Sequence, residues 1–477
     1  MKSPSRFVVH AWTQLGPKFL PFADAATPDL PLSRLLRLSL FQVSVGMALA
    51  LLVGTLNRVM IVELKVPSAL VAVMVALPVL YAPFRALVGF RSDTHESALG
   101  WRRVPFIWMG TLLQFGGLAI MPFALLVLSG GGNAGQWPAW IGQAGAGLAF
   151  LLVGAGLHTT QTAGLALATD RAPQDRHPRV VGLMYVMLLL GTIVSAIAFG
   201  AFLSEFSPAR LIQVIQASAL ATMVLNAIAL WKQESIKVGG TAPTPRREPS
   251  FADAWKVYVA GEGVRSRLLA IGMGTAAFSM QDVLLEPYGG LVLGLSVSGT
   301  TFLTAALAGG GLVGFVLASH VLSRGFEPAR MALIGAWTGV VAFAAVILAA
   351  GSLSVPLFVA GVVLIGFGAG LFGHGTLTVT MNRAPKEQVG LALGMWGAVQ
   401  ATSAGVAVAL GGIGRDVFGA LASRGFFGAS LSVPATGYAA VYAIEILLLL
   451  ATIVVMGTFV GSQRPTAALA DLPAGAK

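Results

Sequence analysis

The sequence predicts an all-α polytopic membrane protein with twelve transmembrane helices arranged as two six-helix repeats. Three observations carry the prediction. Charged residues make up 10% of the 477 and hydrophobic ones 56%, whereas a water-soluble domain keeps about 25% charged. Twelve apolar runs reach the roughly 20 residues that a helix needs to cross a bilayer core. The Lys and Arg between those runs alternate sides, 25 of the 30 on one and 5 on the other. Such an asymmetry marks a cytoplasmic face.

The same composition excludes other classes. A soluble enzyme or a disordered chain would need far more charge, and a disulfide scaffold needs Cys, of which there is none. The net charge of +11 does not point to nucleic acid, because the basic residues punctuate apolar runs and form no continuous stripe. Met1–Pro31 has no uncharged apolar stretch ending in a cleavage site, so no signal peptide is expected.

The spans follow in order. Run 37–60 closes on Asn57, Arg58 and Glu63, and Arg58 with Glu63 reads as an interfacial anchor. Run 67–90 carries Pro83 and Arg85, and 105–129 follows it. Run 139–165 carries His158. Run 179–204 shows no alternation of polarity, which excludes barrel strands. Run 210–232 ends the first set. Runs 267–293, 298–321, 330–351, 355–380, 388–412 and 436–461 form the second, with His374 in the fourth and Glu445 in the last. The organisation expected is a cytoplasmic N-terminal segment (1–36), a first bundle (37–232), a cytoplasmic linker (233–266), a second bundle (267–461) and a cytoplasmic tail (462–477). Within or beside the polar segments, Phe7–Phe22 and Phe251–Val264 could lie as amphipathic helices on the membrane surface.

The two halves resemble each other. Gly154-Ala-Gly156 with Asp170-Arg-Ala-Pro173 matches Gly366-Phe-Gly368 with Asn382-Arg-Ala-Pro385 at a constant offset, and Leu87-Val-Gly-Phe90 recurs as Leu312-Val-Gly-Phe315. Two parallel six-helix repeats about an axis along the membrane normal form the architecture of the major facilitator superfamily. The segment Gly89-Phe-Arg-Ser-Asp93 with Arg102 and Arg103 is similar to that superfamily's loop motif between spans two and three. There Gly89 lets helix ends approach, and Asp93 can bridge to a helix N-terminus or an Arg across the half-interface. The second-half copy has Ala318 in place of the Asp.

Ionisable groups inside spans are costly and mark candidate sites. The clearest cluster is Gln281-Asp-Val-Leu-Leu-Glu-Pro-Tyr288. Asp282 and Glu286, four apart, are expected on one helix face. Pro287 and the Gly pair after Tyr288 are expected to loosen the helix and free carbonyls. Such a cluster suits a proton relay, a cation or the central metal of a pigment; a hydrogen-bonded structural pair is the alternative. Glu445 reads either as a structural partner or, on a peripheral span, as a contact for another protein. His158 and His374 lie at membrane depth, where imidazole can ligate a macrocycle metal or simply pack. No P-loop, HExxH or nucleophile elbow is present, and an enzyme is not expected.

Several longer strings are more specific. Leu32-Ser-Arg-Leu-Leu-Arg-Leu-Ser-Leu-Phe-Gln42, Leu56-Asn-Arg-Val-Met-Ile-Val-Glu63, Tyr81-Ala-Pro-Phe-Arg-Ala-Leu-Val-Gly-Phe90, Ser97-Ala-Leu-Gly-Trp-Arg-Arg-Val-Pro105 and the Gln281–Gly289 stretch resemble the PucC/LhaA family across all twelve spans. This is the bacteriochlorophyll-delivery branch of the superfamily. The resemblance implies an assembly factor for the light-harvesting antenna of purple bacteria, more LH1-like than LH2-like, in the inner (intracytoplasmic) membrane with both termini cytoplasmic. Implied partners are antenna polypeptides, with the reaction centre or chlorophyll synthase beside them, membrane lipids, and transiently bound bacteriochlorophyll. Two other functions stand beside it. One is a proton-coupled transporter of a small amphipathic solute using Asp282 and Glu286; the other is a helix-docking chaperone without a ligand.

Overall fold

A computed structural model describes residues 25–27, 30–81, 84–94, 101–173, 176–234, 261, 263–383 and 389–461. The two proposed surface helices and Pro385 fall outside the described residues, apart from the end of the second at Gly261, Gly263 and Val264. All regular structure among the described residues is helical. The twelve elements are α1 Leu32–Glu63, α2 in two pieces (Ser68–Leu80 and Phe84–Thr94), α3 Val104–Leu128, α4 Ala139–Asp170, α5 His177–Phe202 and α6 Pro208–Leu230. The second half comprises α7 Val264–Leu291, α8 Val297–Ser323, α9 Pro328–Ser352, α10 Val355–Arg383, α11 Val389–Ser423 and α12 Ala435–Gly461.

Among the described residues, eleven of these are long and apolar enough to cross a membrane, and the apolar part of α2, Ser68–Val79, is shorter. Most other boundaries sit close to expectation, but α11 runs to Ser423, about three turns past the expected end at 412. α1 begins at Leu32, before the expected residue 37, and α4 runs on to Asp170. Ser207 and Ser296 start α6 and α8 by accepting hydrogen bonds from the amides of Arg210 (3.2 Å) and Gly299 (3.1 Å). Each satisfies one donor that a helix start leaves open. Outward faces carry large apolar side chains such as Trp140, Phe202, Leu348 and Val454, each about two-thirds exposed. In a bilayer that exposure meets lipid.

The internal repeat performs the same packing in each half. A Cβ on Gly156 of α4 would meet the Gly110 carbonyl of α3, and one on Gly368 of α10 would meet the Gly335 carbonyl of α9 at 2.8 Å. Gly154 lies against Pro78 of α2 and Gly366 against the Leu307 carbonyl of α8. Backbones this close gain dispersion contacts, which drive helix association where no water is displaced.

The halves meet through α2 against α11, α5 against α8, and α1 against α7 and α8. Their polar contacts lie near the end of the bundle opposite the chain termini, the far end. Ala69 N–H donates to Asp416 Oδ2 (2.6 Å), Ser298 Oγ to the Gly200 carbonyl (2.6 Å), and Arg58 Nη2 to the Leu295 carbonyl (3.3 Å). Asp416→Ala is therefore expected to loosen the far end. Inter-label distances between Cys introduced at Ser204 and Ser432 should broaden and lengthen; an unchanged distribution would show that Asp416 carries no closure. The Cys-free chain makes that labelling specific.

Candidate functional site

α7 breaks where the sequence places its acids, though not in the manner expected. The α-helix ends at Met280, Gln281–Val283 form one 3₁₀ turn, and a second helical piece covers Leu285–Leu291. Pro287 lies in the first turn of that second piece, where a missing N–H costs nothing. Its ring is incompatible with a carbonyl four residues back, so the break falls upstream of it. Asp282 and Glu286 therefore do not share one continuous helix face. Asp282 sits in the 3₁₀ turn, half-buried, and Glu286 points into the bundle at 2% exposure.

A polar cluster forms around the break. Gln281 Nε2 donates to Asp282 Oδ1 (2.5 Å) and to the Phe278 carbonyl (3.3 Å). Thr304 Oγ1 of α8 donates to Glu286 Oε1 (2.8 Å). Asn57 Nδ2 of α1 donates to the Asp282 carbonyl (3.4 Å), bringing the first half to the site. Glu445 of α12 is fully buried and near enough to Asp282 for their charges to interact. It faces inward, so the expected alternative of a partner contact at a lipid face does not hold. Of six Tyr in the chain, three converge here. Tyr288 donates to the Val346 carbonyl (2.9 Å) and packs edge-on against Tyr438 (5.4 Å) and Tyr442 (5.6 Å). Tyr438 and Tyr442 escaped the sequence reading, yet Tyr438, Tyr442 and Glu445 stand at helical spacing on one face of α12, a legible signal.

Arg58 is also not the interfacial anchor expected. It is 5% exposed, pairs with Glu63, and crosses to the Leu295 carbonyl while lying against Gly290. Wide π-helical turns at Ala50–Leu56 and Val59–Glu63 direct α1 into this seam.

The two membrane-depth histidines stay in separate halves. His158 of α4 lies beside Pro78 and Arg85, and its Nδ1 has no hydrogen-bond partner among the described residues. His374 of α10 packs edge-on against Phe315 (4.5 Å), with Nδ1 likewise without a partner. No group of three His, Asp or Glu able to hold a metal ion occurs among the described residues.

At the terminal end, Gly89, Arg102 and Arg103 enter a charged knot, whereas the Asp93 side chain lies outside the described residues. Arg103 Nε donates to Asp170 Oδ2 (3.0 Å) and its Nη1 to Ser92 Oγ (2.6 Å), while Ser92 donates to the Gly89 carbonyl (2.8 Å). Arg102 Nη2 reaches the same Asp170 oxygen at 3.3 Å. Glu234, just after α6, accepts from the amides of Arg102 (2.9 Å), Arg103 (3.1 Å) and Val104 (3.0 Å) and so caps α3. Asp170 and Glu234 were not singled out as partners from sequence, because both pairings span more than 60 residues.

A lateral cleft opens between α8 and α10. It measures about 460 Å³ and is lined by Ala306, Gly310, Val313, Val363, Leu364 and Phe367.

Comparison with known proteins places this arrangement. The family model described as PUCC protein matches residues 55–464. The chain belongs to the PucC family. Protein PucC of Rhodovulum sulfidophilum is 61% identical over 423 residues, covering 87% of this chain and 92% of that protein. Protein PucC of Cereibacter sphaeroides is 56% identical over 452 residues, covering 95% and 97%. A more distant relative, the bacteriochlorophyll synthase 44.5 kDa chain of Rhodobacter capsulatus, is 27% identical and covers 93% and 98%. Among solved structures, a bacterial homologue of the lysosomal transporter Spinster, inward-facing and unoccupied, superposes with a TM-score of 0.65 at 15% identity, covering 91% of this chain and 98% of that one. That likeness shows the fold of this PucC-family chain: a multi-pass, transporter-like bundle of the major facilitator type.

Proposed function

We propose that this PucC-family chain is an assembly factor for the bacterial light-harvesting antenna, not an enzyme, that presents bacteriochlorophyll to antenna polypeptides or shepherds their helices. The observation that carries this reading is the identity of more than half the residues to PucC proteins over nearly the full chain. The name of the more distant relative adds a link to bacteriochlorophyll. The geometry supports a lateral hand-over rather than a central cavity. Glu286, Tyr288 and Glu445 are essentially unexposed, so a macrocycle does not reach them in this conformation. The cleft between α8 and α10 is apolar and open to the side, which suits an isoprenoid tail. The charge asymmetry supports a reading in which the termini, Arg102, Arg103 and Glu234 face the cytoplasm and the chain lies in the inner membrane. LH1 is the antenna favoured here, with the reaction centre or chlorophyll synthase as neighbours during assembly.

Two measurements test this. Deleting the gene in a pigment-making host is expected to remove most of the LH1 absorption band while free bacteriochlorophyll persists, and the full-length chain should restore it. The chain purified in mild detergent from such cells should carry bacteriochlorophyll, alone or with antenna subunits. An unchanged antenna spectrum in the deletion strain would overturn the assembly role. A second reading, a proton-coupled transporter of a small amphipathic solute, is favoured by the acids at the break of α7. It predicts that Asp282→Asn and Glu286→Gln abolish proton-linked uptake into vesicles while antenna assembly persists.

A further inference from the structure

One basic residue at membrane depth has no acid to answer it. Arg85 stands in the second piece of α2 and meets Thr162 of α4. Thr162 lies eight residues before Asp170 in the same helix, so the contact is about 12 Å inside the knot of Arg103 and Asp170. Arg85 Nε donates to Thr162 Oγ1 (3.0 Å), and the Thr162 hydroxyl is itself fixed by donating to the His158 carbonyl (2.7 Å). The guanidinium is thus held in one orientation by α4. Of its five N–H groups, the four on Nη1 and Nη2 have no hydrogen-bond partner among the described residues. The groups whose charge reaches it are His158 of α4 and Tyr185 of α5, and neither is a carboxylate.

Two simpler accounts of Arg85 do not hold. A basic side chain near a membrane surface commonly stretches towards the headgroups. Here the Nε anchor and the neighbours on α4 and α5 keep it against the bundle, and Asp170 is taken by Arg102 and Arg103. Nor does the fold need a cation at this level for packing. The match of Leu87–Phe90 with Leu312–Phe315 puts Gly310 in the place of Arg85, and that of Gly154 with Gly366 puts Gly370 in the place of His158. In the second half those two glycines simply press on backbone.

An Arg without a counter-charge is costly at membrane depth. Its two free Nη groups form the fork that matches two oxygens of a carboxylate or phosphate. Arg85, His158, Thr162 and Tyr185 are each half-buried, so the fork is not sealed off. A bare small anion would give up its hydration there for a single cation. A molecule with an apolar part of its own gains contacts as well, and Phe84, 54% exposed and stacked on Tyr81 at 5.4 Å, is apolar surface next to Arg85 in the chain. We propose that Arg85, positioned by Thr162, is the centre of a binding site for the phosphate or carboxylate head of an amphipathic molecule, towards the terminal end of the first bundle. The site is separate from the break of α7 and from the cleft between α8 and α10, and it does not rest on the pigment reading.

The test uses the full chain in a neutral maltoside detergent, with bound molecules counted by native mass spectrometry. Dioctanoyl phosphatidylglycerol stands for a lipid headgroup, octyl phosphate and decanoate for free amphipathic acids, and octyl glucoside for a tail without charge. One anionic probe is expected to bind per chain, octyl glucoside is not, and Arg85→Gln should weaken binding about tenfold or more. Arg330→Gln, at an exposed pair with Glu327, should leave it unchanged. Preference for the lipid over the two single-chain acids identifies a membrane phospholipid as the source; the reverse preference identifies a free amphipathic acid. No saturable binding of any anionic probe, or equal binding by Arg85→Gln, would overturn the proposal. Should Arg85→Gln fail to fold, Arg85→Lys decides, because it keeps the charge and loses the fork. Its binding should fall severalfold, and affinity equal to that of the unsubstituted chain sinks the site.

Discussion

Gly366→Ala is expected to destabilise the protein by about 1–3 kcal/mol, while Gly373→Ala, two turns further along the same helix, should be neutral or stabilising by up to about 1 kcal/mol. Helix propensity favours Ala at both positions equally, so the difference isolates packing. A Cβ at Gly366 would run into the Leu307 carbonyl and the Gly311 amide (2.9 Å) of α8, both backbone atoms that cannot turn aside. At Gly373 no atom lies within 4 Å of an added Cβ. Relief at Gly366 requires α8 and α10 to separate, which also deforms the cleft between them. Thermal unfolding of the purified chain in detergent, followed by Trp fluorescence, checks the pair. Equal midpoints for the two variants would show that the seam yields at little cost.

Arg103→Leu is the second large effect, a loss of about 2–3 kcal/mol. Among its interactions it removes the hydrogen bonds to Asp170 and Ser92, from a side chain that is 6% exposed. Asp170 keeps only its longer contact with Arg102 and is itself 39% exposed, which lowers the cost below that of breaking a fully buried pair. Arg103→Lys should recover little, because one ammonium cannot reproduce the fork that reaches both partners. Since the knot joins the ends of α2, α4 and α6 to the start of α3, the terminal end of the first half should become more accessible. Limited proteolysis at 95–101 measures that; resistance equal to the unsubstituted chain would refute it.

How much of this was legible beforehand differs between the fold and the site. The repeat could be read because Gly156 and Gly368 make matching backbone approaches in the two halves, and Gly154 and Gly366 sit as tightly against the Pro78 ring and the Leu307 carbonyl, where a Cβ would not fit. The break in α7 was foreshadowed by Pro287. In α7, however, the break falls where Pro287 excludes a preceding carbonyl, not at Pro287 itself. Gln281, Asp282, Glu286, Tyr288 and Glu445 were all recognisable as candidates because polar groups at membrane depth are expensive. Their grouping was not. Glu445 lies 159 residues from Glu286 in the chain, and no local pattern reports that α12 turns this face towards α7. His158 and His374, equally conspicuous in sequence, remain apart in different halves.

Sequence by itself determined the class of the protein, the approximate position of its spans, the two-fold repeat and the family. These depend on transfer of side chains from water to lipid and on the steric permission of Gly and Pro, which act within one or two helical turns. Tertiary structure alone decided that Arg58 is a clasp between halves, that Asp170 and Glu234 organise Arg102 and Arg103, and that Glu445 is turned inward and fully buried. Such facts depend on which helix faces meet, and a helix with apolar residues on every side carries no periodic signal of which face turns inward.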